Sequence, residues 1–242
     1  MPSRLDFLAA GAIAALAPAT AAASPSPAQS ASPKASPSPE PSFPPLHFDM
    51  AAFDAALETA APHRHMFASL RLDGGQVLDT MRGVLSAYAQ IGVAAKDVHP
   101  VAVLYHGEAI TLGFDDTVWN DYLIPTHAKD PKTFDAFDKD FASVYTPGKT
   151  KGNPELHKTN DKDDSSIEGL VADAGARFFV CNEATKGFAS YIARHLKKSP
   201  LDVYAAMASN LVPNAMLVPA GVWAVHAVQE RRYTYQQVNL QP

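Results

Sequence analysis

Apolar and polar positions follow two periods along most of the chain, one typical of strands and one typical of helices. Alternation over 63–72 predicts a strand, and the continuous apolar run at 98–105 suits a central strand of a parallel sheet. Three further short runs, at 177–181, 216–219 and 233–238, also predict strands. Spacings of three and four residues predict helices over 48–61, 76–91, 114–123, 166–176, 183–196, 201–210 and 222–232.

Strands that alternate with helices predict a parallel sheet with right-handed crossovers. Five strands favour an α/β fold, a flavodoxin-like, doubly wound sheet with helices on both faces. The pattern breaks over 125–164, which is rich in Lys, Asp and Pro and has few periodic apolar positions. We interpret 125–164 as a polar insertion, either a loop or a lid over the edge of the sheet.

The N-terminal region differs in composition from the rest of the chain. A short apolar stretch followed by small residues predicts a secretory signal peptide over 1–23, rather than a helix of the mature fold. Residues 24–46 contain eight of the 20 prolines and almost nothing that could pack, so they predict a Pro/Ser-rich disordered linker. We therefore expect an exported protein, periplasmic or secreted, whose domain occupies 47–242. The signal stretch is too short for a membrane span.

Charge and cysteine content narrow the function. The net charge of -5 belongs to the domain, and no basic stripe is present, which argues against nucleic acid and anionic membranes as partners. One cysteine cannot form an internal disulfide. Cys181 is therefore either a buried core residue or a free thiol with a function.

In an open α/β sheet, ligands bind beyond the carboxyl ends of the strands. A thiol at that edge, followed by the start of a helix, would be favoured as the thiolate by free backbone N–H groups, and Asn182 is positioned to cap that helix. His106 could act as a proton partner if its strand lies beside that of Cys181. The same residues also fit a core cysteine and ordinary turns. The candidates at three strand ends are His106, Gly107 and Glu108, then Cys181 and Asn182, then Pro219 and Gly221.

Other kinds of site have weaker signals. His63 and His65 lie on one face of a strand, but at its start, away from Cys181. A metal held by His106 and Cys181 is a further hypothesis, although we predict no metal site. Phosphate loops, Gly-x-Ser-x-Gly elbows and dinucleotide fingerprints do not occur in the sequence, so no cofactor is expected.

Several segments follow the order seen in one known family. They are 103–107, 179–182, 211–213, 218–222 and 229–235, of which Val-Pro-Ala-Gly-Val at 218–222 is the most specific. Through them the chain resembles the DsrE/DsrF-like family of sulfur-relay α/β proteins. The resemblance implies Cys181 as a persulfide carrier, a sulfur donor or acceptor protein as partner, and a homo-oligomer. The chain departs from the family in its expected export, because the known relay is cytoplasmic, and in the insertion between the second and third predicted strands. The relay also needs partner subunits, which the sequence does not reveal.

Two main functions compete at this stage. The first is an exported, thiol-based sulfur carrier that uses Cys181, with His106 tuning its protonation. The second is a non-catalytic module that binds a small ligand or a partner through the same strand ends and keeps a structural cysteine. Because a carrier needs no full active site, the sequence leaves open whether the protein is an enzyme.

Overall fold

The computed structural model describes residues 42–131, 149–159 and 164–238. The predicted signal peptide at 1–23, most of the predicted linker and most of the predicted insertion lie outside the described residues. All described residues belong to one compact unit that begins at Glu40. None of the described helices is long and apolar enough to cross a membrane.

The core of the fold is one sheet of five parallel strands. The order across the sheet is β4-β3-β2-β1-β5, so the last strand pairs with the first. This sheet, with helices on both faces, confirms the predicted flavodoxin-like α/β class. The strands are β1 (His63–Ser69), β2 (Val98–Leu104), β3 (Arg177–Cys181), β4 (Ala215–Val218) and β5 (Thr234–Gln237).

Helices occupy the predicted positions, most of them within a few residues of the predicted ends. They are α1 (Met50–Leu57), α2 (Gln76–Gln90), α3 (Asp116–Val118), α4 (Ile124–Lys129), α5 (Ile167–Ala174), α6 (Asn182–Leu196), α7 (Pro200–Ser209) and α8 (Gly221–Glu230). A π-helical turn, Trp119–Leu123, joins α3 to α4, and short 3-10 helices occur at Asp73–Gly75, Ala95–Asp97 and Gly107–Gly113.

Two hydrophobic clusters place the helices on opposite faces of the sheet. Apolar residues of α1 and α8 pack on one face, with side chains such as Met66 and Val101. The helices α2, α5, α6 and α7 pack on the other face, with side chains such as Phe67 and Ala102. Every residue of β2 is buried, as its apolar run predicted, because the strand is central and covered on both faces. The connections after β3 and β4 therefore leave on opposite faces, which makes their ends the switch point of the sheet.

The predicted insertion begins too early and is partly wrong. Its first residues continue the helical segment as α4, where Thr126 and His127 are buried. In the segment 149–159, the buried amide of Asn153 donates to the carbonyls of Leu112 (3.3 Å) and Phe114 (2.8 Å). This buried amide, other polar contacts such as that of the Asn153 N–H with Asp116, and the buried side chain of Leu156 hold the segment without apolar periodicity, so the pattern did not reveal it.

The end of the predicted linker also differs from expectation. Residues 42–46 lie against the domain, and the Phe43 ring lies 5.3 Å from the Tyr204 ring of α7, centroid to centroid. One aromatic ring in a proline-rich stretch is therefore enough to attach the end of that stretch to the core.

Candidate functional site

A cleft of about 440 Å³ opens at the carboxyl ends of β2 and β3. These two strands are neighbours, with Leu104 opposite Val180. The strand that precedes His106 therefore lies beside the strand of Cys181, as the role predicted for His106 requires. The loop after β2 forms one wall, and α6 forms the other. The lining residues are Tyr105, His106, Gly107, Cys181, Glu183, Ala184, Gly187, Phe188, Tyr191 and Arg194.

Cys181 ends β3 and caps α6 with its own side chain. The backbone N–H of Ala184 donates to Cys181 Sγ at 3.4 Å, and the Thr185 hydroxyl donates to the Cys181 carbonyl at 2.9 Å. The prediction that Asn182 caps this helix is therefore wrong by one residue. The difference follows from geometry, because the extended backbone of Cys181 directs its sulfur at the free N–H groups.

The Cys181 sulfur lies at the start of a long helix. A helix start supplies unpaired N–H groups and the positive end of the helix dipole, and α6 is long enough for both effects, with 15 residues. The residue is only 5% exposed, although it lines the cleft. This cleft therefore gives access to a residue that is otherwise buried.

His106 and Gly107 lie on the wall opposite α6. The His106 side chain is exposed, and Gly107 has φ of +39°, a left-handed conformation that explains the glycine in this turn. Tyr105, also in this wall, has its hydroxyl pKa raised by burial and by the nearby Tyr235. The structure thus brings His106, Gly107 and Cys181 to one cleft.

Two other candidates lie beside the cleft instead of lining it. Glu108 is buried, and it lines a smaller cleft of about 360 Å³ together with His106, Leu70 and Arg71. Asn182 is 1% exposed, and its side-chain oxygen accepts a hydrogen bond of 2.7 Å from the Tyr204 hydroxyl. Ligand binding by Glu108 and Asn182 stays a prediction, and the structure gives the Asn182 amide oxygen a partner within the fold.

Pro219 and Gly221 follow β4 and do not line the cleft. A Cβ placed on Gly221 would lie 1.6 Å from the Tyr105 Cβ, so the start of α8 packs directly against the loop after β2. This close approach accounts for the glycine by internal packing. Roles of Pro219 and Gly221 in binding a ligand stay predictions.

The sequence reasoning missed the α6 wall of the cleft. Ala184, Gly187, Phe188, Tyr191 and Arg194 recur at spacings of three and four residues, which is one face of a helix. That spacing, starting directly after the candidate cysteine, was the available signal.

Metal binding has no support from the described residues. No group of three or more His, Cys, Asp or Glu side chains among them is arranged to hold a metal ion. His63 and His65 pack against Tyr88, and His65 Nε2 lies 3.0 Å from the Tyr88 hydroxyl. Burial, followed by the charge of His63, lowers the pKa of His65.

Comparisons with known proteins give little further information. No family model matches the sequence, and no curated protein matches it. The chain is similar to the solved structure of a protein of unknown function, MTH1491 from Methanobacterium thermoautotrophicum. The identity is 13%, the match covers 73% of this chain and 99% of that chain, and the TM-score is 0.34. A similarity this weak says nothing about function.

Proposed function

We propose that this protein is an exported, DsrE-like sulfur carrier in which Cys181 accepts and passes on sulfane sulfur. The observation that carries the proposal is the position of the Cys181 sulfur, which caps α6 and faces a cleft at the carboxyl ends of β2 and β3. A carrier needs a thiol that can be reached by a donor and an acceptor but is screened from bulk solvent. A cysteine that is 5% exposed and lines a cleft fits that need.

The transfer step is an exchange between thiolate and persulfide. The Cys181 thiolate attacks the outer sulfur of a donor persulfide, R–S–SH, so that the new Cys181 S–S bond forms as the donor S–S bond breaks. The products are Cys181–S–SH and the donor thiolate R–S⁻, so charge, atoms and electrons balance. The inner donor sulfur is reduced, and the Cys181 sulfur is oxidised by the same amount. An acceptor thiolate then takes the outer sulfur by the same reaction.

Two parts of the cleft support this step. The N–H of Ala184 donates to the Cys181 sulfur and holds it at the start of α6, where it faces the cleft. His106 lines the same cleft from the neighbouring strand end, and we propose it as the acceptor of the thiol proton. Deprotonation through His106 would then precede each transfer.

The single cysteine makes a direct experiment possible. The full chain is treated with a persulfide donor, and its intact mass is measured before and after reduction. We expect a mass increase of one sulfur atom that dithiothreitol reverses, and no increase in Cys181→Ser. An unchanged mass of the native protein with every donor, beside ready modification of the unfolded chain, would contradict the proposal.

A binding module without sulfur chemistry is the second candidate function. Low exposure and the bond to Ala184 also suit a cysteine whose work is structural. In this case a thiol reagent labels Cys181 only after denaturation, and Cys181→Ser leaves ligand binding unchanged. Rapid labelling of the native fold below neutral pH favours the carrier instead.

Export and assembly also belong to the proposal. Fractionation of cells that express the full chain is expected to place a shortened product outside the cytoplasm, with its new N terminus near residue 24. A full-length product in the cytoplasm would contradict export. Light scattering tests the expected homo-oligomer, and a monomer at every concentration would contradict it.

A further inference from the structure

The cleft beside Cys181 is elongated along α6. Its lining runs from Ala184 near the start of the helix to Arg194 near the end. Ten residues of helix span about 15 Å, so the cleft is longer than the reacting sulfur atoms need. Its volume of about 440 Å³ falls in the range of sites for small organic ligands.

The exposed guanidinium of Arg194 lies at the far end of the cleft. Arg194 forms no hydrogen bond or ion pair with any other residue in the described ranges. The nearby carboxylates are engaged elsewhere, since Asp130 lies 3.0 Å from His195 Nε2 and Glu183 lies 2.8 Å from Lys186 Nζ. The guanidinium of Arg194 is therefore available to a ligand carboxylate.

The middle of the cleft is kept open by a glycine. Gly187 lies inside α6, where glycine weakens a helix relative to alanine. A Cβ placed on Gly187 would meet no atom within 4 Å, so no packing contact requires the glycine. Its effect on the structure is to leave space in the cleft between Cys181 and Arg194.

We propose that the cleft binds a low-molecular-weight peptidic thiol or persulfide of the glutathione class, with its sulfur at Cys181 and a carboxylate at Arg194. Cys181 and Arg194 are 13 residues apart, about 20 Å along the helix, and an arginine side chain leans back toward the helix start. In a glutathione-type tripeptide the sulfur is on the central residue, so its distance to a terminal carboxylate is less than the extended length of about 10 Å, and the Cys181 and Arg194 side chains cover the remainder. An inorganic polysulfide would use neither Arg194 nor the space at Gly187. This inference deepens the proposed function, because it names the class of sulfur donor.

Binding is tested with S-methylglutathione, which cannot transfer sulfur, by calorimetric titration of the full chain. We expect Arg194→Gln to weaken binding about twofold to fivefold, as for loss of an exposed ion pair. Gly187→Leu fills the cleft and is expected to weaken binding more than tenfold. Gly83→Leu is the matched control, because Gly83 also lies inside a 15-residue helix with open space around its Cβ. Esterified S-methylglutathione is expected to bind the wild type as weakly as the free acid binds Arg194→Gln.

The outcomes separate this inference from the carrier proposal. If S-methylglutathione does not bind, or binds all variants equally, the inference is overturned even where polysulfide loads Cys181. If it binds with the expected variant effects but no donor ever forms a persulfide, the ligand class stands and the carrier function fails.

Discussion

The two edges of the sheet differ in how their polar groups are satisfied. At the strand starts, buried polar groups bond to one another: His99 Nδ1 lies 2.6 Å from the Tyr233 hydroxyl, which donates to the Leu57 carbonyl at 3.0 Å. At the strand ends, His106 and Cys181 face a cleft, which extends along α6 to Arg194. Buried groups with partners stabilise a fold, whereas groups that face a cleft are available to a ligand.

Clefts and charges alone do not distinguish the two edges. A larger cleft, about 640 Å³, opens at the strand starts, and its charged lining includes Arg64, Glu58 and Glu230. Two of the three arginines in this lining have partners within the fold, since Arg64 donates to the carbonyls of Thr59 and Ala61, and Arg231 pairs with Asp54. Volume alone is therefore a poor guide to the candidate site, which is distinguished here by the thiol of Cys181.

The largest effect is expected for Gly221→Ala. Gly221 lies at the strand-end edge of the sheet, where it packs directly against Tyr105. The added methyl group would overlap Tyr105, so we expect a loss of about 3 kcal/mol or more in unfolding free energy. Urea denaturation measures the loss. Gly187→Ala, whose methyl group meets open space, is the control and is expected to stabilise the protein by about 1 kcal/mol. Equal stability of Gly221→Ala and wild type would contradict the packing described here.

A second test concerns the strand starts and uses pH. Burial, then the charges of Arg177 and Arg64, lower the pKa of His99 to about 4, against a bond to the Gly175 backbone that raises it. The unfolded chain, where histidine has its usual pKa of 6.5, therefore binds more protons between pH 6.5 and pH 4. The contribution of neutral His99 to the unfolding free energy is fully present above pH 6.5. It falls by about 2 to 3 kcal/mol as the pH drops to 4.

The measurement is the difference in unfolding free energy between the wild type and His99→Gln at each pH. This difference is expected to shrink from pH 7 to pH 4. Other titrating groups, such as Glu155, whose pKa burial and then Asp79 raise to about 6, are present in both proteins and cancel. A difference that stays constant over this range would show that His99 has an ordinary titration.

The smallest effect is expected from two substitutions of Cys181, which test whether its side chain stabilises the fold by capping α6. Cys181→Ala removes the acceptor for the Ala184 N–H and is expected to cost about 1 kcal/mol. Cys181→Ser keeps an acceptor at the helix start, so its unfolding free energy is expected to match the wild type. If both variants lose the same stability, the sulfur contributes by packing and not by capping.

Local patterns predicted much of the fold. The limits of β3, Arg177–Cys181, and the start of α2 at Gln76 agree with the structure because periodicity reports which side chains are buried. The pairing of β5 with β1 was not predicted, since hydrophobic period carries no information on which strands become neighbours. The bonds of Asn153 to two carbonyls were missed for a related reason, because a single polar contact leaves no period.

The sequence predicted which strand ends carry the candidate site, but it did not predict the contacts between distant residues or the helix that lines the cleft. Cys181, His106 and Gly107 meet in one cleft because carboxyl ends of parallel strands share an edge. The contact of Gly221 with Tyr105 joins residues more than a hundred positions apart, which no local motif encodes. The α6 face from Ala184 to Arg194 was accessible from spacing, once the helix start at Cys181 was known.

The strand order has a consequence for the synthesis and folding of the chain. Because β5 pairs with β1, His65 can pair with Thr234 only after a further 169 residues have been synthesised. During synthesis, the first strand therefore keeps one side of its backbone unpaired until almost the whole chain has been translated. Pairing between strands so far apart in sequence slows folding. Until it occurs, an unpaired strand edge is exposed and can associate with other chains. A chain shortened before residue 234 would keep the thiol cleft residues but lose the strand that seals the sheet.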